Sequence, residues 1–172
     1  MRTGIFAAAA LAGTIIGGCQ ASRPPATVAF SAEEAAFIRK PGTATITGHA
    51  FRTRPSGTVV HAAGEVVRLV PATAYARERF QQLYGDRKFV PYQNYPRDDK
   101  ADPAYAEYTR TTKAESNGRF SFDKVAPGRY FVTTQVVWGD EAAFTRQGGS
   151  VYDLVTVTGK ESEPIDVILS GN

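Results

Sequence analysis

Apolar and polar residues alternate with a period of two along much of this chain. In residues 43–51 (TATITGHAF), Ala44, Ile46, Gly48 and Ala50 share one side, and Thr45, Thr47 and His49 share the other. That spacing predicts a half-buried strand. Residues 65–70 set Val67 and Leu69 opposite Arg68, residues 129–138 align Tyr130, Val132 and Val136, and residues 164–169 align Ile165, Val167 and Leu169. Residues 108–114, 119–122 and 151–158 follow the same rule, for seven strands in all. Residues 52–64 read as a loop with a candidate short strand at 58–61. Asn117-Gly118 predicts a type I′ hairpin between two of the strands, because both central residues of that turn need positive φ. Pro127-Gly128 predicts the next turn.

The period shifts in two places. Ser31-Ala32-Glu33-Glu34 has the spacing of a capping box, and it predicts a short helix over residues 32–39 that stops at Pro41-Gly42. Residues 73–84 carry Tyr75, Arg79 and Leu83 at helical spacing with Phe80 and Tyr84 beside them, and Gly85 stops the helix. Residues 85–107 hold Pro91, Pro96 and Pro103 together with Tyr92, Tyr95 and Tyr105, and they read as a long polar insertion. The expected fold is mainly β: a seven-stranded antiparallel sandwich with two short helices and a long Tyr/Pro-rich insertion.

The first residues follow neither period. Arg2 precedes an apolar run over residues 5–16, which is too short to span a bilayer but suits a signal peptide. Ile16-Gly17-Gly18-Cys19 resembles the lipobox of bacterial lipoproteins. The resemblance implies cleavage before Cys19 and acylation there, so that Cys19 anchors the mature chain in a membrane. Gln20 takes the place of the Asp that holds such proteins at the inner membrane, which implies the outer membrane, facing the periplasm. The expected organisation is a signal peptide over 1–18, a lipidated tether over 19–30 and one domain over 31–172. The mature chain would have 172 − 18 = 154 residues, enough for one core without disulfides.

Composition narrows the function. Twenty basic and 17 acidic residues are spread along the chain for a net charge of +3, so no basic arm for nucleic acid stands out. One Cys excludes an internal disulfide and any multi-Cys metal site. His49 and His61 are the only histidines and read as surface residues. Asp98, Asp99 and Asp102 lack the spacing of a Ca²⁺ loop, because Arg97 and Lys100 interrupt them. Arg77 and Arg79, with Arg87 and Lys88, read as a solvated helix face. No metal and no cofactor is expected.

Residues 115–122 (ESNGRFSF), followed by residues 125–132 (VAPGRYFV), resemble the core signature of carboxypeptidase-regulatory-like domains. Ile46-Thr47-Gly48 and Val67-Arg68-Leu69 match that family's first and second core strands. The resemblance implies a transthyretin-like (prealbumin-like) Greek-key sandwich. It reaches the helix and the insertion poorly. Enzymes of related folds show their own marks, and these are absent. A Tyr-Arg-Gly-Ser tail is replaced by Ser170-Gly171-Asn172, and both histidines precede every tyrosine where an iron-binding dioxygenase needs the reverse order.

Tyr92, Tyr95, Tyr105 and Trp138 are left as a candidate binding surface, because flat amphipathic rings stack on sugars and on peptide side chains. The expected function is a lipid-anchored cell-envelope protein with a non-catalytic binding or structural domain for an envelope protein or a polysaccharide. The alternatives are a carbohydrate-binding module and an enzyme with a site under the Tyr-rich insertion.

Overall fold

The computed structural model describes residues 25–96, 100–140, 142 and 145–172, and these form two β-sheets with a few short helices. In the first sheet β1 (Ala44–Thr53) is central. It pairs antiparallel with β6 (Arg119–Val125) over its first half and with β2 (Val59–His61) at its end, and it runs parallel to β9 (Ile165–Leu169). The second sheet has the order β4 (Phe89–Pro91), β8 (Gln147–Val157), β7 (Gly128–Trp138), β3 (Val66–Pro71), β5 (Arg110–Lys113), all antiparallel. The described residues therefore form nine strands, where seven and a candidate short one were expected. β2 is the candidate short strand of residues 52–64, formed at Val59–His61, and β4 is an addition from the insertion, whose three residues are too few for a visible period. The parallel β1–β9 pair also departs from an all-antiparallel sandwich.

The inward residues of both sheets meet in one cluster. Ile46, Ala50, Phe120, Phe122, Val167 and Leu169 pack with Val67, Leu69, Tyr130, Val132, Val136 and Val151. These are the positions that the period of two selected. Burying such side chains contributes roughly 1.5–3 kcal/mol each by area transfer.

The Asn117-Gly118 hairpin is not formed. β5 belongs to one sheet and β6 to the other, so the turn is a corner between layers. Gly118 alone has positive φ, +80°, while Asn117 does not, and a type I′ turn needs both. The Asn117 side chain accepts from the Arg119 amide at 2.9 Å, and the Gly118 amide donates to the Glu115 carbonyl at 2.8 Å. A Cβ on Gly118 would lie 2.4 Å from the Ala50 oxygen, so the corner requires glycine twice over. Pro127-Gly128 makes a second crossing, and the Tyr130 hydroxyl ties it by donating to the Ala126 carbonyl at 2.7 Å.

Among the described residues three short α-helices appear where two were expected: α1 (Ala32–Ala35), continued by a 3-10 turn to Arg39, α2 (Ala74–Tyr84) and α3 (Pro103–Glu107). The Ser31 hydroxyl caps α1 by accepting from the Glu34 amide at 3.2 Å. The reciprocal half of the capping box is redirected. Glu34 accepts from the Ala74 amide at 2.8 Å and so caps α2. α3 lies in the insertion and is capped by Asp102, with Pro103 at its first position, a start signal that the tyrosines and prolines around it obscured. Among its described residues the insertion thus holds a strand, a 3-10 turn (Tyr92–Asn94) and a helix.

Candidate functional site

α2 lies on the face of the second sheet that points away from the core. The Thr73 hydroxyl caps it by accepting from the Ala76 amide at 3.1 Å, and Gly85, at φ +58°, ends it. Phe80 stacks on Phe131 with ring centroids 4.0 Å apart and planes 10° from parallel. Around that pair Val70, Ala72, Ala76, Tyr84 and Val90 form a second buried cluster. α2 covers only this apolar part of the face.

The rest of the face is polar. Thr111, Arg68, Thr133 and Tyr152 align across β5, β3, β7 and β8, and Gln135 pairs with Ser150 in a neighbouring row. A cavity of about 400 Å³ lies over these rows, within the range of roughly 300–1,000 Å³ of small-molecule sites. Arg68, Thr111, Thr133, Gln135 and Ser150 line its floor, and Arg79, Phe80, Leu83 and Tyr84 of α2 line one wall. Tyr95, Ala101, Asp102, Pro103, Tyr105 and Ala106 of the insertion line the other wall.

Hydrogen bonding sorts the floor into two kinds. The Ser150 hydroxyl donates to the Thr134 carbonyl at 3.2 Å, and the Thr133 hydroxyl donates to the Val151 carbonyl at 2.9 Å. The Tyr84 hydroxyl lies 2.7 Å from Ser150 Oγ and 3.0 Å from Thr133 Oγ1. The two aliphatic hydroxyl protons are committed to carbonyls, so the network keeps lone pairs and offers acceptors. Arg68, Thr111 and Gln135 are different. Their side chains make no hydrogen bond or ion pair among the described residues and are open to a ligand, with Arg68 and Thr111 exposed.

The walls are held from behind. Arg79 is only 1% exposed and sits 5.5 Å and 5.7 Å from the ring centres of Tyr75 and Tyr105, which corrects the solvated helix face expected for it. The Tyr75 hydroxyl accepts from the Asp102 amide at 2.7 Å. Phe30 meets Tyr75 and Tyr105 edge-on at 5.6 Å and 6.1 Å. The amides of Thr27 and Val28 each donate to the Glu78 carboxylate at 2.8 Å. The bond from the Thr27 amide, then that from Val28, holds the Glu78 carboxyl below its ordinary pKa. The end of the segment read as a tether thus lies against α2.

The four rings expected to form one surface are all half-buried, and they separate into two places. Tyr95 and Tyr105 line the cavity; Tyr92 and Trp138 do not. Tyr92 lies under the Arg146 guanidinium at 5.4 Å. Trp138 donates from its indole to Gln147 at 3.2 Å and carries Arg54 at 5.1 Å from its ring centre. Cys19, Asp98 and Asp99 lie outside the described residues. Asp102 caps α3, its carboxylate accepting from the Ala104 amide at 2.9 Å. His49 and His61 are a half-buried pair rather than two surface residues, with His49 Nε2 3.1 Å from His61 Nδ1 and 2.9 Å from the Asn117 carbonyl. Among the described residues no three or more His, Cys, Asp or Glu side chains converge as metal ligands.

Sequence reasoning missed Arg68, Thr111, Thr133, Gln135 and Ser150. Outward positions of strands read as solvated, and only the amphipathic helix α2 signals that this sheet face is roofed.

No family model and no curated protein matches the chain. A crystal structure from Pseudomonas aeruginosa, described as that of a "putative carbohydrate binding protein", is similar to it with a TM-score of 0.66 and 29% sequence identity, over 82% of this chain and 97% of the other.

Proposed function

We propose that this chain is a carbohydrate-binding module of the cell envelope, and that the roofed cavity on the second sheet is its sugar site. The observation that carries the reading is the pairing of Arg68, Thr111 and Gln135 on the floor, unpartnered among the described residues, with Tyr95 and Tyr105 on one wall. A pyranose needs that combination. Its hydroxyls take donors and acceptors at the edges, and its C–H faces stack on aromatic rings. The cavity has room for about one or two sugar rings by the usual dimensions of such sites. Likeness to the Pseudomonas aeruginosa protein supports the same class of ligand.

The reading is of a binding protein and not an enzyme. The one carboxylate among the described lining residues, Asp102, is spent capping α3, and acid–base catalysis wants such a group free. Around the site we place a prealbumin-like Greek-key domain of the carboxypeptidase-regulatory-like kind, held by acyl chains on Cys19 at the periplasmic face of the outer membrane.

Calorimetric titration of the mature domain with neutral and acidic oligosaccharides tests the site. Tyr105→Ala and Tyr95→Ala are expected to weaken binding roughly three- to tenfold, by the stacking energy of a ring, and Tyr92→Ala to leave it unchanged. Absence of binding to every sugar, or equal losses in all three variants, rejects the assignment. Partition of the full chain into a detergent phase, lost in Cys19→Ala, tests the anchor.

A further inference from the structure

We infer that the cavity selects a sugar bearing a carboxylate, and that Arg68 is the residue that holds it; this rests on the carbohydrate reading above. Arg68 lies on β3, between β5 and β7, with Thr111 and Thr133 in register on either side. Its side chain is exposed, lines the cavity and has neither hydrogen bond nor ion pair among the described residues. Neighbouring arginines are engaged. Arg39 pairs with Glu107 at 3.3 Å and covers Tyr108 at 3.8 Å, Arg77 lies 3.9 Å from Glu34, and Arg110 donates to the Asp123 carbonyl at 2.6 Å. Arg79, the other cation of the cavity, is buried against two tyrosine rings.

A guanidinium at the floor of a roofed cavity, with no ion pair among the described residues, is a receptor for an anion that enters with the ligand. Its planar fork matches a carboxylate through two parallel N–H···O bonds. The flanking groups set the charge of that anion. Thr111 and Gln135 are neutral, so the floor offers one positive charge, which suits the single charge of a uronate better than a phosphate. Thr111 and Gln135 then meet the ring hydroxyls next to the carboxylate, while Tyr95 and Tyr105 stand at the wall.

Titration of the mature domain at low salt with digalacturonate, with its neutral counterpart digalactose and with acetate separates the contributions. Digalacturonate is expected to bind roughly tenfold to a hundredfold more tightly than digalactose, the range for a hydrogen-bonded charge, and acetate alone to bind too weakly to measure. Arg68→Gln should weaken digalacturonate roughly tenfold or more and digalactose by a clearly smaller factor, that of one neutral hydroxyl contact. Arg68→Lys keeps the charge without the fork and should recover only part of the difference. Because Arg68 is exposed on a strand, both variants should melt as the wild type does. Equal binding of the two sugars, or equal loss of both in Arg68→Gln, overturns the carboxylate inference and leaves the carbohydrate reading standing. Binding of neither sugar overturns both.

Discussion

Tyr130 holds a corner of the fold with one hydroxyl. The residue is fully buried, and its O–H donates to the Ala126 carbonyl at the crossing from β6 to β7. Burial pushes the phenol up to about 12, against a smaller opposing pull from the Arg110 charge. The phenol of the unfolded chain ionises near 10. A raised value favours the protonated form in the folded state, so its contribution is complete below pH 10 and disappears as pH rises through about 12. Two units correspond to a contribution on the order of 2–3 kcal/mol. Tyr130→Phe is expected to cost about 0.5–1.5 kcal/mol at neutral pH through the lost hydrogen bond. It should also flatten the fall in stability between pH 10 and 12. Denaturant unfolding of both proteins across that range checks the slope; an unchanged slope would show that another group governs alkaline unfolding.

At the level of elements, α2 is the piece on which the candidate site depends, and Glu78 latches the N-terminal segment to it. Both carboxylate oxygens accept backbone amides, from Thr27 and Val28, and the charged form is favoured by these bonds. Because the carboxyl is held low, the latch persists down through the ordinary carboxylate range and opens only at more acidic pH. Glu78→Gln removes the charge and half of the accepting capacity. Hydrogen exchange of the Thr27 and Val28 amides should rise several-fold while the strands keep their protection; unchanged exchange would mean that the Phe30 packing alone holds the segment. The latch is not legible in the sequence, because contacts between residues about 50 apart in the chain leave no periodic trace. Strands with four or more alternating residues were legible, and their inward faces matched the core at Ile46, Val67, Tyr130 and Val167. Their sheet membership was not. β5 and β6 flank Asn117-Gly118 as a hairpin would, yet a single positive φ and the Ala50 carbonyl send them to different layers. Of the candidate rings, Tyr95 and Tyr105 were separable from Tyr92 and Trp138 only once α3 was seen to turn the insertion back over the sheet.

For the whole molecule, the decisive feature is that its apolar side chains form two clusters on opposite faces of one sheet. Leu69 is fully buried in the first, between the sheets, and Phe80 belongs to the second, under α2. β3 feeds both, because Leu69 points inward and Val70 outward, and this is the simple consequence of strand alternation. The clusters therefore share backbone but few side-chain contacts, and damage to one need not spread to the other. Leu69→Ala leaves a cavity between the two sheets and should lower global stability by about 2–5 kcal/mol, with protection falling in every strand. Phe80→Ala deletes the ring stacked on Phe131 and against Tyr84 and Tyr152. It removes the main apolar contact that presses α2 onto the sheet. The expected result is local: α2 and the latched residues 27–30 lose hydrogen-exchange protection, and the walls of the candidate site loosen because Arg79 and Tyr105 lose their support. β1 and β6 should stay protected as in the wild type. A uniform loss of protection across both sheets in Phe80→Ala would instead make the roof and the sandwich a single cooperative unit. The cavity would then be as rigid as the core beneath it.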